Sequence, residues 1–390
     1  MGSVDQLYRW LSRDTQPTTN ATLGAALRHA EPEYAVRIAL MLLDRRHESA
    51  WVGLVAAYDR LGPKLRERLL KQAELLRAGI AGAMKDHDPH ARLNALAVLR
   101  DWPCAQLSYL AADALRDESP TVRAAAAKTL SAIAQQVQRP GGGAGPNDRA
   151  ELGRALREGL RTFDAHECAE VLQVCLWFAA ELGDTLWEAL ADQPSRRALV
   201  VAQHLLQWNE PRLAPFLQLA LGHQAWREAA RDLLETWREP AQVVALLRNA
   251  PLLSRADFRH GVRTMPKPRW FLVANQLVDT LPPDARALLP QWVCQLGFTE
   301  TERMRCLERW QASEDPELHR AAVYALAHVG TIAADRLLAQ VAKRVCPMAR
   351  FAKWFLIGKH ALVKREDAAV VSARPSAGAG HMSFGAEVSS

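Results

Sequence analysis

The chain has 390 residues, of which 49% are apolar, 24% charged and 7% aromatic. That apolar share excludes a disordered chain, and six scattered cysteines are too few for a disulfide scaffold, so they read as reduced thiols of a cytoplasmic protein. The opening MGSVDQLYRWLSRD lacks the apolar core of a signal peptide, and charge interrupts every apolar run within about 12 residues, so no membrane span is expected.

Charge is unevenly placed. Residues 1–140 carry 19 Lys/Arg against 15 Asp/Glu, residues 141–260 carry 13 against 16, and residues 341–390 carry 8 against 3. Seven basic and no acidic side chains lie between Lys343 and Arg365. Such an end attracts phosphate or an anionic partner surface.

No run alternates in the manner of a strand. Helical spacing is pervasive instead, as in Ala91–Leu99, where Leu93, Leu96, Ala97 and Leu99 are predicted to share a broad face. Ala and Leu dominate, and both favour helix. Prolines punctuate the chain at helix-length intervals. The expected fold is all-α.

The first distinct element is DPHARLNALAVL from Asp88. It is matched by SPTVRAAAAKTL from Ser119, DPELHRAAVYAL from Asp315 and CPMARFAKWFLI from Cys346. Each has Pro second, at Pro89, Pro120, Pro316 and Pro347. Arg follows three residues later at Arg92, Arg123 and Arg350, with His319 in the remaining copy. An apolar residue stands ten after each Pro: Leu99, Leu130, Leu326 and Ile357. Pro89 and Pro120 are 31 apart, as are Pro316 and Pro347.

A weaker copy, HQAWREAARDLLETW, aligns through Arg227, Ala230 and Leu234 and places Gln224 at the Pro position. Gln224 lies 92 residues before Pro316, close to three periods. It lies 104 after Pro120, longer than three periods by about the length of QRPGGGAGPN at 138–147. A period that survives an insertion is the mark of a solenoid, in which two-helix units bury their apolar faces by stacking. Pro in the first turn gives up an N–H that would be orphaned anyway. Asp88, Ser119 and Asp315 are suited to cap the helices that follow. Small residues at Ala124–Ala127 should let helices approach closely.

These openings and their Ala-rich helices resemble HEAT repeats, in particular the short repeats of about 30 residues in bilin-lyase-type HEAT proteins. The four clear copies cover about a third of the chain. The resemblance implies an α-solenoid of antiparallel helix pairs whose second helices line a concave surface. Composition divides it into N-terminal repeats at 1–137, a Gly/Pro-rich link at 138–147, C-terminal repeats at 148–365 and a tail at 366–390 with the composition of disorder.

Candidate chemistry is sparse. The run GGGAGP lacks the Gly-Lys-Ser/Thr and preceding strand of a phosphate loop and reads as a linker. Asp86-His87-Asp88-Pro89-His90 offers metal ligands, but it opens a repeat helix where Asp88 has a capping role. His166, Glu167, Cys168 and Cys175 share one stretch without CxxC or HExxH, and the cysteines read as small hydrophobes. Arg92, Arg123 and Arg350 could form a basic stripe for nucleic acid. Their recurrence with the period points to a ladder linking adjacent repeats.

Eight of the 12 tryptophans fall between Trp177 and Trp310, mostly as core. Trp270 and Trp354, flanked by basic residues, are the candidates for exposed anchors. In the last helix, Met348, Phe351, Phe355 and Leu362 form a packing stripe. Arg350, Lys353 and Lys359 lie off it, either as a solubilising cap or as an anion-binding end. The expected partner-binding residues are therefore Trp270, Arg350, Lys353, Trp354 and Lys359.

The expected function is a non-catalytic cytoplasmic scaffold that binds a protein or peptide on its concave surface, with no cofactor and no metal. One alternative is a nucleic-acid-binding protein of the HEAT-like DNA glycosylase type, which a net-acidic central region disfavours. Another is a lyase or chaperone-like subunit resembling the bilin-lyase type.

Overall fold

The computed structural model describes residues 10–14, 16–139, 145–191, 195–237, 239–249, 278, 281, 283–295 and 298–372. Trp270, most of the glycine run and the tail beyond 372 lie outside the described residues. Among the described residues there is no strand; helices follow one another, joined by turns. Contacts divide the chain into two units, residues 1–236 with 252–258, and residues 237–251 with 259–390.

In the first unit the period extends closer to the N-terminus than the four sequence copies indicate. Helices Pro32–Asp44 and Pro63–Leu70 start 31 residues apart, as do Pro17–His29 and Glu48–Ala56. Pro17–His29, Glu48–Ala56 and Ala73–Ala83 lie in succession against one another. Glycines set their spacing. A Cβ on Gly24 would sit 2.7 Å from the Cα of Gly53, and one on Gly79 would sit 2.9 Å from the Trp51 carbonyl oxygen. Ala126 and Ala127 are buried as small residues should be, but Ala124 is exposed. The closest helix approach on view therefore belongs to glycine, earlier in the chain.

Next come two layers. Pro89–Asp101 packs on Pro120–Val137, and Ser108–Ala114 packs on Pro146–Arg161. The helices on either side of residues 138–147 thus touch within one unit. Leu96, Leu99, Ala127, Leu130 and Ile133 are wholly buried, each leucine contributing about 1.5–3 kcal/mol. The expected stripe is rotated, because Leu93 and Ala97 are half-buried while Val98 and Asn94 are buried. Asn94 can enter the core because its amide donates to the Ala56 carbonyl at 2.8 Å and to the Asp59 carboxylate at 2.7 Å. Shorter helices complete the unit up to Arg227–Thr236. Trp187 stacks between Phe216 at 5.6 Å and His223 at 3.7 Å.

In the second unit Pro283–Gln295 packs on Pro316–Val329, and Ala349–Ser372 packs chiefly on Ile332–Lys343. Thr299 and Thr331 cap Glu300–Gln311 and Ile332–Lys343. Gly330, at φ 74°, closes Pro316–Val329 in the left-handed conformation that glycine adopts without strain.

Pro89, Pro120 and Pro316 each begin their helix, as expected. Pro347 does not. It lies in a turn, and the helix starts at Ala349. The residue before Pro contributes to the difference in two copies, although Ser119, expected to cap, makes no cap bond and pairs its hydroxyl with Thr121 instead while its helix still begins at Pro120. Asp88 accepts the N–H of His90, and Asp315 accepts those of Glu317 and Leu318. Cys346 stands at that place in the last copy, and a thiol is a poor cap.

Candidate functional site

Of the recurring arginines Arg92, Arg123 and Arg350, Arg92 alone makes the expected bridge between adjacent repeats; Arg123 bonds within its own opening turn, and Arg350 is exposed. Arg92 grips the Asp117 carboxylate with two bonds, at 2.7 and 2.8 Å, and donates to the carbonyls of Asp86 and His87 in its own opening turn. The two side chains are 15% and 10% exposed, so this is a largely desolvated pair. Burial pushes the Asp117 carboxyl up, but the bonds from Arg92 and from the Ser119 N–H hold it below the usual carboxylate range. Arg123 repeats half of the pattern, donating to the carbonyls of Asp117 and Glu118. Arg227 of the weak copy donates to the carbonyl of Leu221, the same six residues back.

The acceptors recur as well. Asp86 and Asp117 lie three residues before their prolines, and each accepts the N–H two residues on, from Asp88 and Ser119. Arg28 reaches Asp86 from an earlier helix at 3.4 Å, and in the second unit Arg286 reaches Asp315 at 3.1 Å. Arg92 and Arg123 are thereby taken up by the protein itself and form no stripe open to nucleic acid. In the Asp86–His90 cluster, Asp88 caps as expected, and His90 pairs with Asp59 at 3.1 Å. Among the described residues no three His, Cys, Asp or Glu side chains are grouped to hold a metal.

His166 occupies the Asp117 position of a further turn. Its Nδ1 accepts the N–H of Cys168 at 3.0 Å, and its Nε2 donates to the Gly159 carbonyl at 2.9 Å. A carbonyl can only accept and an N–H only donate, so the ring is neutral with its proton on Nε2. Burial lowers its basicity further, opposed by the Gly159 bond and reinforced by Arg123. Burial pushes the Cys175 thiol up to about 12, which fits an inert core cysteine.

Six tryptophans, Trp51, Trp177, Trp226, Trp237, Trp292 and Trp310, are core residues. Trp354 is 71% exposed, in line with its candidacy. Trp10 is 60% exposed as well, and Arg9 and Arg13 beside it in the sequence were the available signal.

On the last helix Arg350, Lys353 and Trp354 share an exposed face, and none has a side-chain partner among the described residues. Phe351 and Phe355 face the other way, and Phe351 meets Tyr324 edge-on at 4.7 Å. Met348 is buried, while the Leu362 side chain lies outside the described residues. Lys359 leaves the group. Its ammonium bonds the Asp335 carboxylate at 2.6 Å and the Gly330 carbonyl at 3.2 Å, fastening the last helix to the preceding repeat.

Two further exposed arginines went unnoticed in the sequence. Arg305 and Arg336 lie 31 residues apart on the second helices Glu300–Gln311 and Ile332–Lys343, exposed and without side-chain partners among the described residues. Their spacing was the available signal. It is a weaker signal than that of the first helices, where Pro marks the register.

Residues 110–137 match the HEAT repeat family. Among solved structures, the chain resembles a Kap121p mutant, with 17% identity, a TM-score of 0.27, and coverage of 91% of this chain and 37% of that one. It also resembles Kap121p bound to RanGTP, with 14% identity, a TM-score of 0.27, and coverage of 92% and 37%. The chain thus spans little more than a third of the length of these structures. No curated protein matches. No helix among the described residues is long and apolar enough to cross a membrane.

Proposed function

We propose that this helical-repeat chain is a non-catalytic scaffold that holds a protein or peptide on the face formed by the second helices of its pairs. One observation carries the reading. The first-helix arginines Arg92 and Arg123 bond within the protein, whereas Arg305 and Arg336 on the second helices are exposed at one repeat position, without side-chain partners among the described residues. Two cations one period apart form a ruler that an extended or helical partner with spaced carboxylates would match. Rigid stacking gives such a surface its pre-organisation, so little ordering opposes binding.

The test is affinity purification of the full chain from native lysate at low and high salt, with and without nuclease. The expected result is a defined protein that survives nuclease and weakens about tenfold on R305E/R336E. Recovery of nucleic acid alone, lost on nuclease treatment, overturns the scaffold reading in favour of phosphate binding.

A further inference from the structure

We infer that the exposed face of the last helix is the docking site for an acidic amphipathic helix of a partner protein, an inference that rests on the scaffold reading. The residue ten after Pro is wholly buried in three copies, as Leu99, Leu130 and Leu326. In the fourth copy it is Ile357, 70% exposed. Trp354 beside it is 71% exposed, and the small residues Gly358 and Ala361, one turn further on, are exposed too. Arg350, Lys353, Trp354, Ile357, Gly358 and Ala361 are spaced as one helical face. The surface that other copies bury against neighbouring helices is here open.

The dimensions and charge of the face define its occupant. From Trp354 to Ala361 the apolar stripe rises about 10 Å, the reach of two turns of a crossing helix. Its two large side chains stand at one end, and a Cβ on Gly358 would meet nothing within 4 Å, so the other end is a low shelf. Arg350 heads the stripe and Lys353 borders one side of it, neither with a side-chain partner among the described residues, and no acidic residue occurs between Lys343 and Arg365. Carboxylates on the occupant would complete both cations. A second copy laid across the face about a two-fold axis would instead set Arg350 and Lys353 against themselves. Leu or Met knobs set against Trp354 and Ile357 and over the Gly358–Ala361 shelf, with Asp or Glu on the flanks, satisfy every group on view.

A photo-crosslinking amino acid at position 357 of the full-length chain, in the cells that make the protein, tests this. The expected product is a crosslink to one segment of another protein, with apolar residues at three- and four-residue spacing and flanking Asp or Glu. R350E/K353E should lower its yield about tenfold with the circular dichroism melt unchanged, and R350K/K353R should preserve it. Reversing the captured segment's acids to Lys should restore binding to R350E/K353E. Trp354→Ala supplies a second, charge-neutral variant expected to lose the crosslink while keeping its fold. Lys359 is left intact because it bonds Asp335.

The inference is overturned by no crosslink above that of a probe at exposed Glu317, by a crosslink to a second copy, by a lipid adduct, or by a captured segment lacking acids. A silent probe in a chain that still recovers its protein partner at the second helices sinks this inference and leaves the scaffold standing. Failure to recover any protein sinks both.

Discussion

The Pro89 and Pro347 openings share a proline, an arginine three residues on and an apolar residue ten on, yet they fold differently. At Pro89, Asp88 caps the helix, Asp86 braces the turn, and Arg92 closes onto the next repeat. At Pro347 the capping place holds Cys346, and the place equivalent to Asp86 holds Arg344, which bonds Gln311 at 3.0 Å instead. A cation in the acceptor's place cannot receive an arginine from the preceding repeat. The helix starts two residues late, and Trp354 and Ile357 face outward. The arginine of the motif bridges to the next repeat at Arg92, where Asp117 stands to receive it; at Arg350 it is exposed.

The largest expected effect comes from breaking the strut. Arg92→Ala leaves the buried Asp117 carboxylate with the Ser119 N–H but no ion-pair partner and should destabilise the first unit by about 3 kcal/mol in urea unfolding. Arg350→Ala, the same motif position on an exposed helix, should move stability by no more than about 0.5 kcal/mol.

Next is the packing of the first unit. Gly24→Ala puts a methyl against the Gly53 backbone, and with nowhere to go it should cost about 1–3 kcal/mol in the same measurement.

The comparison can also be inverted. Cys346→Asp restores a cap worth about 1 kcal/mol. Amide exchange should then slow across the start of the last helix, at Ala349–Phe355, and no protection gained there would show that Cys346 is not what delays it.

The smallest effect is on pH. The neutral ring of His166 has its basicity depressed by burial, so the folded state binds fewer protons there than the unfolded chain. Its contribution is present above the usual histidine pKa of about 6.5 and is lost as pH falls through the lower folded value. Asp117, at the equivalent turn position, is depressed from the carboxylate range instead, so its contribution persists until pH falls below about 4. Melting of the first unit between pH 7 and 5 should therefore weaken in the wild type, and His166→Asn should flatten that slope.

Reading the sequence captured the all-helical fold, the period and the ladder role of Arg92, because Pro, Arg and the capping acids act within a few residues of one another. It did not anticipate the rotated core stripe, since Asn94 is buried only by virtue of Ala56 and Asp59, which lie 38 and 35 residues away. It grouped Lys359 with Arg350 and Lys353 by charge, whereas Asp335 draws Lys359 inward. Arg305 and Arg336 escaped notice because a second helix carries no proline to mark its register.

The bridge also has a direction in time. Arg92 is made before its acceptor, and Asp117 follows 25 residues later, about 1–5 s behind at ribosomal speed. That bridge can therefore close only when the next opening turn has emerged, whereas Arg123 finds its carbonyl partners already made. Until then the nascent chain carries Arg92 ready for a carboxylate not yet synthesised.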